Sequence, residues 1–390
     1  MPKKWAFLFV ISVAAVAQSG RSYGPGNVWW NPGDGAVLPL EEAYDNPDGQ
    51  VSVFNKTGAI HTAGHAFFER LGANGRACVT CHQPSNAMSL SVATINDRWT
   101  ETRGKDPLFA AIDGSNCPDL PQDAMASHSL LLQHGLIRIS LPRPKNADFR
   151  IEVVRDPTGC NKDNSTISVY RRPRVTANFR YVASDAFMAD GREPSLRSQA
   201  ITAAITHEEA ATKPTEEQLR QILEFEAQVY TAQSADIRGG RLDAHGATGF
   251  LSMPVDLAQP LTNDFRSSVM RGRDLFTKDC SKCHDGKSSN WIDIGTTNPD
   301  ATDLPFFRVT CNDSRALYTQ DPGRALISGK CSDIGSVAAQ QLRGLAARAP
   351  YFINGSARTL DDVVAVHERH LHRNYTAREK QDLVNLLRVL

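Results

Sequence analysis

Two short stretches constrain this chain more than any others: Cys78-Val79-Thr80-Cys81-His82 and Cys280-Ser281-Lys282-Cys283-His284. Both read C-x-x-C-H, the attachment signature of a c-type haem. Two intervening residues let one turn carry both thiols to the two vinyl groups, and the adjacent imidazole is delivered to one face of the iron. With 8 Cys and 11 His in 390 residues, two copies are not expected by chance. The competing reading is a redox C-x-x-C pair or half of a zinc site, each with an accidental His. No further C-x-x-C completes a zinc cage. The chain is therefore expected to carry two covalent c-type haems on Cys78, Cys81, Cys280 and Cys283, with His82 and His284 as proximal iron ligands.

The length suggests two or three domains with a sizeable core. Lys+Arg and Asp+Glu both number 43, so nothing points to nucleic acid or to a strongly charged membrane surface. Lys3 and Lys4, the apolar run from Trp5 to Ala17 and the triplet Ala15-Val16-Ala17 read as a secretory signal over residues 1–17. That run is shorter than the roughly 20 residues a spanning helix needs, so a soluble, exported, periplasmic protein is expected. Cys117, Cys160, Cys311 and Cys331 remain outside the two motifs. An even remainder in an oxidising compartment favours disulfides over free thiols. Cys117–Cys160 and Cys311–Cys331 are preferred because each pair lies within one half of the chain.

Residues 18–56, rich in Gly, Pro and Asn, read as an extended arm with loops. A short helix over residues 65–71 leads into the first motif, and a similar lead-in, Val269 to Phe276, precedes the second. The repeat is thus a helix ending in an aromatic, a short loop and C-x-x-C-H. It predicts a mostly α chain of two cytochrome c-like helical domains, 57–235 and 236–390. A small β insertion at about 105–175 in the first carries strands at 130–141, 149–155 and 166–171. Helix caps are predicted at Ser195, Thr215, Thr359 and Thr376, two of them in capping boxes. Leu383, Leu386, Leu387 and Leu390 give the last helix one apolar face.

The sixth iron position separates an electron carrier from a catalyst. Leu360, Val363, Val364 and His367 run i, i+3, i+4, i+7, which makes His367 the candidate distal ligand of the second haem, although a lone His on an apolar face is more often a core residue. In the first unit Leu196, Gln199, Ala200, Ala203 and His207 also run at helical spacing, offering His207. Glu209 is the rival there, as a carboxylate acid/base for peroxide chemistry. Two residues along a helix are a rotation of about 200°, so a continuous helix would let only one of them face the iron. His61, His65, His128 and His134 are weaker candidates, read as loop or surface histidines.

Cys78–His82, Asp190-Gly191-Arg192 with Ser195-Leu196 and Gln199-Ala200, Cys280–His284 and the run from Gln341 to Leu390 together resemble the bacterial di-haem cytochrome c peroxidase superfamily. That superfamily includes the di-haem enzyme that matures methylamine dehydrogenase. The resemblance spans most of residues 60–390, with 105–175 outside the pattern of shorter members. It implies two packed cytochrome c domains with haems near their interface, the first reacting with peroxide and the second supplying electrons. It also implies a small soluble electron donor, a cytochrome or copper protein, and often a calcium ion, whose ligands do not map onto this chain. Departures are specific. His367 stands where the family has Met or Tyr, Ala189 where it has an inter-haem Trp, Ala203 where it has a distal Pro, and Ile353 for the His of its PYFHNG motif. Glu209 aligns with the family's catalytic Glu. Two main expectations follow: reduction of hydrogen peroxide at the first haem with Glu209 as acid/base, or a non-enzymatic electron-transfer cytochrome with His82/His207 and His284/His367 ligation. Oxygenase or maturation chemistry on an organic or protein substrate is a more distant third.

Overall fold

The computed structural model describes residues 28–179, 186–242, 264–284, 291–298 and 300–390. The expected signal segment 1–17 and the first part of the arm lie outside the described residues. The helices are α1 (Cys78–Cys81), α2 (Val92–Thr102), α3 (Ser129–His134), α4 (Leu196–His207), α5 (Glu216–Gln228), α6 (Asp264–Asp279), α7 (Ala325–Ser328), α8 (Leu360–His370) and α9 (Ala377–Arg388). The strands are β1 (Val37–Leu38), β2 (Glu41–Asn46), β3 (Gly49–Asn55), β4 (Ile60–His61), β5 (Ile137–Pro142), β6 (Phe149–Arg155), β7 (Thr166–Arg171), β8 (Val229–Asp236), β9 (Gly240–Arg241), β10 (Trp291–Ile292), β11 (Phe306–Cys311), β12 (Ala316–Thr319) and β13 (Val337–Ala338).

This corrects the expectation of a mostly helical chain: the described residues are 32% helical and 21% strand, so sheets are a main component and not a local insertion. Two stretches account for the difference. Within the presumed arm, Val51 and Val53 are fully buried on β3, which pairs with β2 on one side and β8 on the other in the order β2-β3-β8-β9. Of the Gly, Pro and Asn residues that suggested loops, Asn46, Pro47 and Gly49 build the tight β2–β3 turn, and Gly49 sits where a Cβ would lie 2.1 Å from the Ala235 carbonyl oxygen. Strand β6, expected in a self-contained insertion, pairs antiparallel with β11, and β12 completes that sheet. The sheet therefore ties the insertion to the second half of the chain.

Local expectations fared unevenly. Ser195, Thr215, Thr359 and Thr376 each cap a helix, accepting from the backbone N–H three residues on. The helix expected over 65–71 is a series of turns in which the adjacent Phe67 and Phe68 are both buried. The strand expected over 130–141 begins as α3, which ends at Gly135 in the left-handed region (φ 66°) before β5 starts. Both expected disulfides, Cys117–Cys160 and Cys311–Cys331, are formed, and neither involves a cysteine of the two C-x-x-C-H motifs. No described helix is long and apolar enough to cross a membrane.

Helices α6 and α9 pack tightly, and α8 closes against α9. Val269, Phe276, Leu383, Leu386 and Leu387 share the core beneath them. Each buried side chain of this size contributes about 1.5–3 kcal/mol relative to exposure. Gly272 makes the approach possible, since a Cβ there would lie 2.1 Å from the Asp382 carbonyl oxygen. The contact is locked at Asp382, which accepts from Ser268 at 2.5 Å and from Arg271 at 2.7 Å. Gly272→Ala should therefore lower unfolding stability by about 3 kcal/mol, the upper part of the overpacking range. Denaturant unfolding checks this, and an unchanged midpoint would mean that the helices do not touch at this point.

Candidate haem sites

Both C-x-x-C-H stretches close the same turn. His82 N–H donates to the Cys78 carbonyl at 3.1 Å, and His284 N–H donates to the Cys280 carbonyl at 3.1 Å. An aromatic from the lead-in lies beside each histidine: Phe67 is 6.4 Å from His82 and Phe276 is 6.2 Å from His284, centroid to centroid. The repeat legible in the sequence is thus a repeat of local geometry, even though the first lead-in is not a helix.

Each motif opens onto its own cavity. The first, of about 1170 Å³, is lined by Cys78, Cys81 and His82, and across it by Ala200, Ala203 and His207. The second, of about 1120 Å³, is lined by Cys280 and His284 and across it by Val363, Val364 and His367. Arg172 and Pro173 line both cavities, so one residue pair forms their shared wall.

The histidines are held in the state that binds metal. His82 points Nδ1 at the Met88 carbonyl (3.4 Å), His207 points Nδ1 at Asp113 Oδ2 (2.6 Å), and His367 points Nδ1 at the Val363 carbonyl (2.8 Å). Each partner is an acceptor, so the ring proton belongs on Nδ1 and the Nε2 lone pair is left for the cavity. His284 has no side-chain hydrogen bond of normal geometry, and the Gln340 backbone offsets its desolvation only in part. Burial pushes His82 and His284 down to about 4, the facing histidine adding to the shift in each case, so both are neutral imidazoles at neutral pH. The centroids of His284 and His367 are 6.1 Å apart. An imidazole nitrogen lies about 1.1 Å from its ring centre and bonds a metal at about 2 Å, so a metal between two Nε2 atoms needs about 6 Å. The second cavity meets that requirement.

The thiols argue against a redox pair. Burial pushes Cys81 and Cys280 up to about 12, and burial with the nearby Glu208 and Glu226 carboxylates pushes Cys78 well above the ordinary range. Reactive C-x-x-C cysteines have lowered values, so these three thiols lack the signature of a redox pair.

His207 stands on a charge relay that sequence reading missed. Asp113, in the insertion, bonds His207 through one oxygen and the buried Arg76 through the other. Burial opposes ionisation of Asp113, but the Arg76 charge and the His207 bond outweigh it and hold the carboxyl below its usual range. Arg76 is fixed in turn by the Pro107 and Leu108 carbonyls at 2.7 and 2.6 Å. Helix α4 ends at His207, and Glu209 follows in the left-handed region (φ 55°), exposed and not lining the cavity. Glu208 faces inward instead. Its Oε1 accepts from Cys78 Sγ at 3.3 Å and its Oε2 from Leu71 N–H at 3.2 Å, and burial raises it to about 7. Glu226 also lines this cavity, is buried with Oε2 unpartnered, and is raised by burial to about 8. Its position was readable: Leu219, Ile222 and Glu226 run i, i+3, i+7 on α5, a carboxyl on an otherwise apolar stripe. Asp113 left no such signal, since nothing in a loop at 113 points to a helix ninety residues later. The weaker histidines line neither cavity: His128 is buried between the Gly114 and Gln122 carbonyls, and His134 pairs with Asp303 at 2.7 Å.

Two outcomes follow. Asp113→Asn should loosen His207 from its metal by about 10–100-fold, the usual effect of removing a supporting carboxylate, and added imidazole should then bind correspondingly tighter. Equal imidazole affinity in both proteins would remove Asp113 from the site. Glu226 binds its proton more tightly folded (about 8) than unfolded (4.5), so stability is greatest below about 4.5 and declines as pH rises to about 8. Glu226→Gln should remove that part of the decline and be more stable than wild type at pH 8 by a few kcal/mol, at about 1.4 kcal/mol per pKa unit. Parallel stability–pH curves would contradict the assignment.

No family model and no curated protein matches the chain. Among solved structures, one that is similar is hydrazine synthase of Kuenenia stuttgartiensis, pressurised with xenon, at 16% identity over 72% of this chain and 85% of that one, with a TM-score of 0.36. Another is a MauG-like protein associated with microbial copper homeostasis, at 15% identity over 57% and 76%, with a TM-score of 0.39. At these identities and scores the likeness says nothing of what this chain binds.

Proposed function

We propose that this chain is an exported, periplasmic di-haem c-type cytochrome that receives electrons at one centre and passes them to the other. The observation that carries this reading is the pairing of imidazoles: each cavity is lined by the histidine of a C-x-x-C-H turn and by a second histidine. When bound, haem supplies one-electron exchange between ferric and ferrous iron. His82 and His207 would hold the iron in the first cavity, and His284 and His367 in the second. Two imidazoles favour the ferric state more than imidazole with thioether does, which sets low potentials. The Asp113 bond makes His207 a stronger donor and deepens that preference at the first centre. The two disulfides support an oxidising compartment. A small soluble cytochrome or copper protein is the proposed donor.

Glu208 favours a second reading, reduction of hydrogen peroxide at the first centre. A carboxyl near pKa 7 in that cavity wall can hold and deliver a proton at neutral pH, a part that Glu209, turned to solvent, is not placed to take. Peroxide would first have to displace His207.

Assay of peroxide turnover in the wild type, His207→Ala and Glu208→Gln separates the two. The electron-carrier reading expects negligible turnover in the wild type and a gain in His207→Ala. Substantial wild-type turnover that is lost in Glu208→Gln would overturn it in favour of the peroxidase.

A further inference from the structure

The wall between the cavities holds three arginines that form no ion pair among the described residues, two of them buried. Arg172 is 6% exposed, lines both cavities, and donates to the carbonyls of Leu90, His134 and Arg348. Arg174 lines the first cavity and donates to the Ala338 and Ala339 carbonyls at 3.1 and 3.2 Å. Arg348, 7% exposed, lines the second, donates to the Gln341 carbonyl at 2.8 Å, and has its Nε buried without a partner. Among the described residues none of the three forms an ion pair. The neighbouring Arg171, by contrast, is held by Asp321 at 2.6 Å and Asp190 at 2.5 Å, and Arg76 is held by Asp113.

Backbone carbonyls satisfy individual N–H groups but do not neutralise the charge. Burial lowers Arg172 to about 9 and Arg174 and Arg348 each to about 10; Arg348 adds repulsion at Arg172 and Arg174 at Arg348, while at Arg174 the Asp190 carboxylate offsets part of the burial. Uncompensated buried charge is costly enough that native folds pair it or neutralise it. Among the described residues no carboxylate pairs with them, Asp190 acting on Arg174 while bonded to Arg171 and Arg192, and the three side chains line two cavities that share one wall. The missing partner is therefore an anion that enters the cavities, and a planar, bidentate acceptor suits a guanidinium fork best.

We propose that Arg172, Arg174 and Arg348 form one carboxylate clamp shared by the two cavities, which binds the propionates of both haems, Arg174 serving the first, Arg348 the second and Arg172 both. The proposal rests on the reading that each cavity holds a covalent haem. It implies that both haems turn their propionate edges toward the shared wall, so that the two centres communicate electrostatically through Arg172.

The test uses the full-length holoprotein with Arg172→Gln, Arg174→Gln and Arg348→Gln. Haem number is read by intact mass, and each midpoint potential by spectroelectrochemistry. Thioether formation does not depend on these arginines, so every variant should keep two haems. Removing a positive charge favours the ferric state. Arg174→Gln should therefore lower the first potential, Arg348→Gln the second and Arg172→Gln both, with Arg172→Lys restoring most of the loss. Unmoved potentials, or the same shift at both haems in all three variants, with two haems attached would overturn the clamp and leave the haem reading intact. A wild type without covalent haem would overturn the haem reading and the clamp with it. A free small anion in place of the propionates would make wild-type potentials depend on added phosphate or chloride, and that dependence would also overturn the proposal. Redox-difference infrared of wild type carrying 13C-labelled propionates needs no variant: ionised carboxylate bands are expected, and protonated carboxyl bands would contradict the clamp.

Discussion

The two sites depend on one arrangement, an imidazole fixed by its Nδ1 so that its Nε2 lone pair faces an apolar cavity. A histidine free to rotate would offer either nitrogen and would be as well solvated as bound. Here a backbone carbonyl fixes His82 and His367, and a carboxylate fixes His207. Desolvation keeps His82 and His284 neutral, so no proton has to leave before a metal is bound. Much of the surrounding fold can be read as support for these rings. Helix α8 carries His367, and α9 and α6 wedge it against the cavity. Helix α4 ends at the residue that must point inward.

The two centres are not built alike. Apart from Arg172 and Pro173, the second is lined by the chain's C-terminal half, from α6, α8, α9, β10, β13 and the segments between them. The first takes parts from far apart: the motif at 78–82, His207 from α4, Glu226 from α5 and Asp113 from the insertion. The insertion therefore supplies chemistry as well as strands, because it delivers the charge that orients the distal histidine. Buried carboxyls gather only at the first centre. Glu208 and Glu226, both shifted toward neutrality by burial, give that cavity a capacity for protons that the second lacks among its lining residues.

What the sequence made legible is what local chemistry governs. Helix caps depend on a residue and its third neighbour, and all four proposed caps are present. The attachment turns and the apolar stripe bearing His367 are likewise short-range patterns. The sheets were not legible for the opposite reason. Strand β3 pairs with β8 nearly two hundred residues away, and β6 with β11 more than one hundred and fifty away. Nothing in the spacing of Val51 and Val53 names that partner, and Gly, Pro and Asn in the turn read as loop. At the site, the helix stops at His207, so the rotation argument over His207 and Glu209 does not apply, and the inward carboxyl is Glu208.

Low-temperature EPR tests the central claim most directly, because it reads the axial coordination of each iron. In fully oxidised protein, and again after reduction by one electron, paired imidazoles in both cavities predict two low-spin ferric signals that titrate away with no high-spin species. A high-spin ferric signal, at rest or appearing once the second haem is reduced, would mean that His207 does not hold the first iron closed, and would contradict the account.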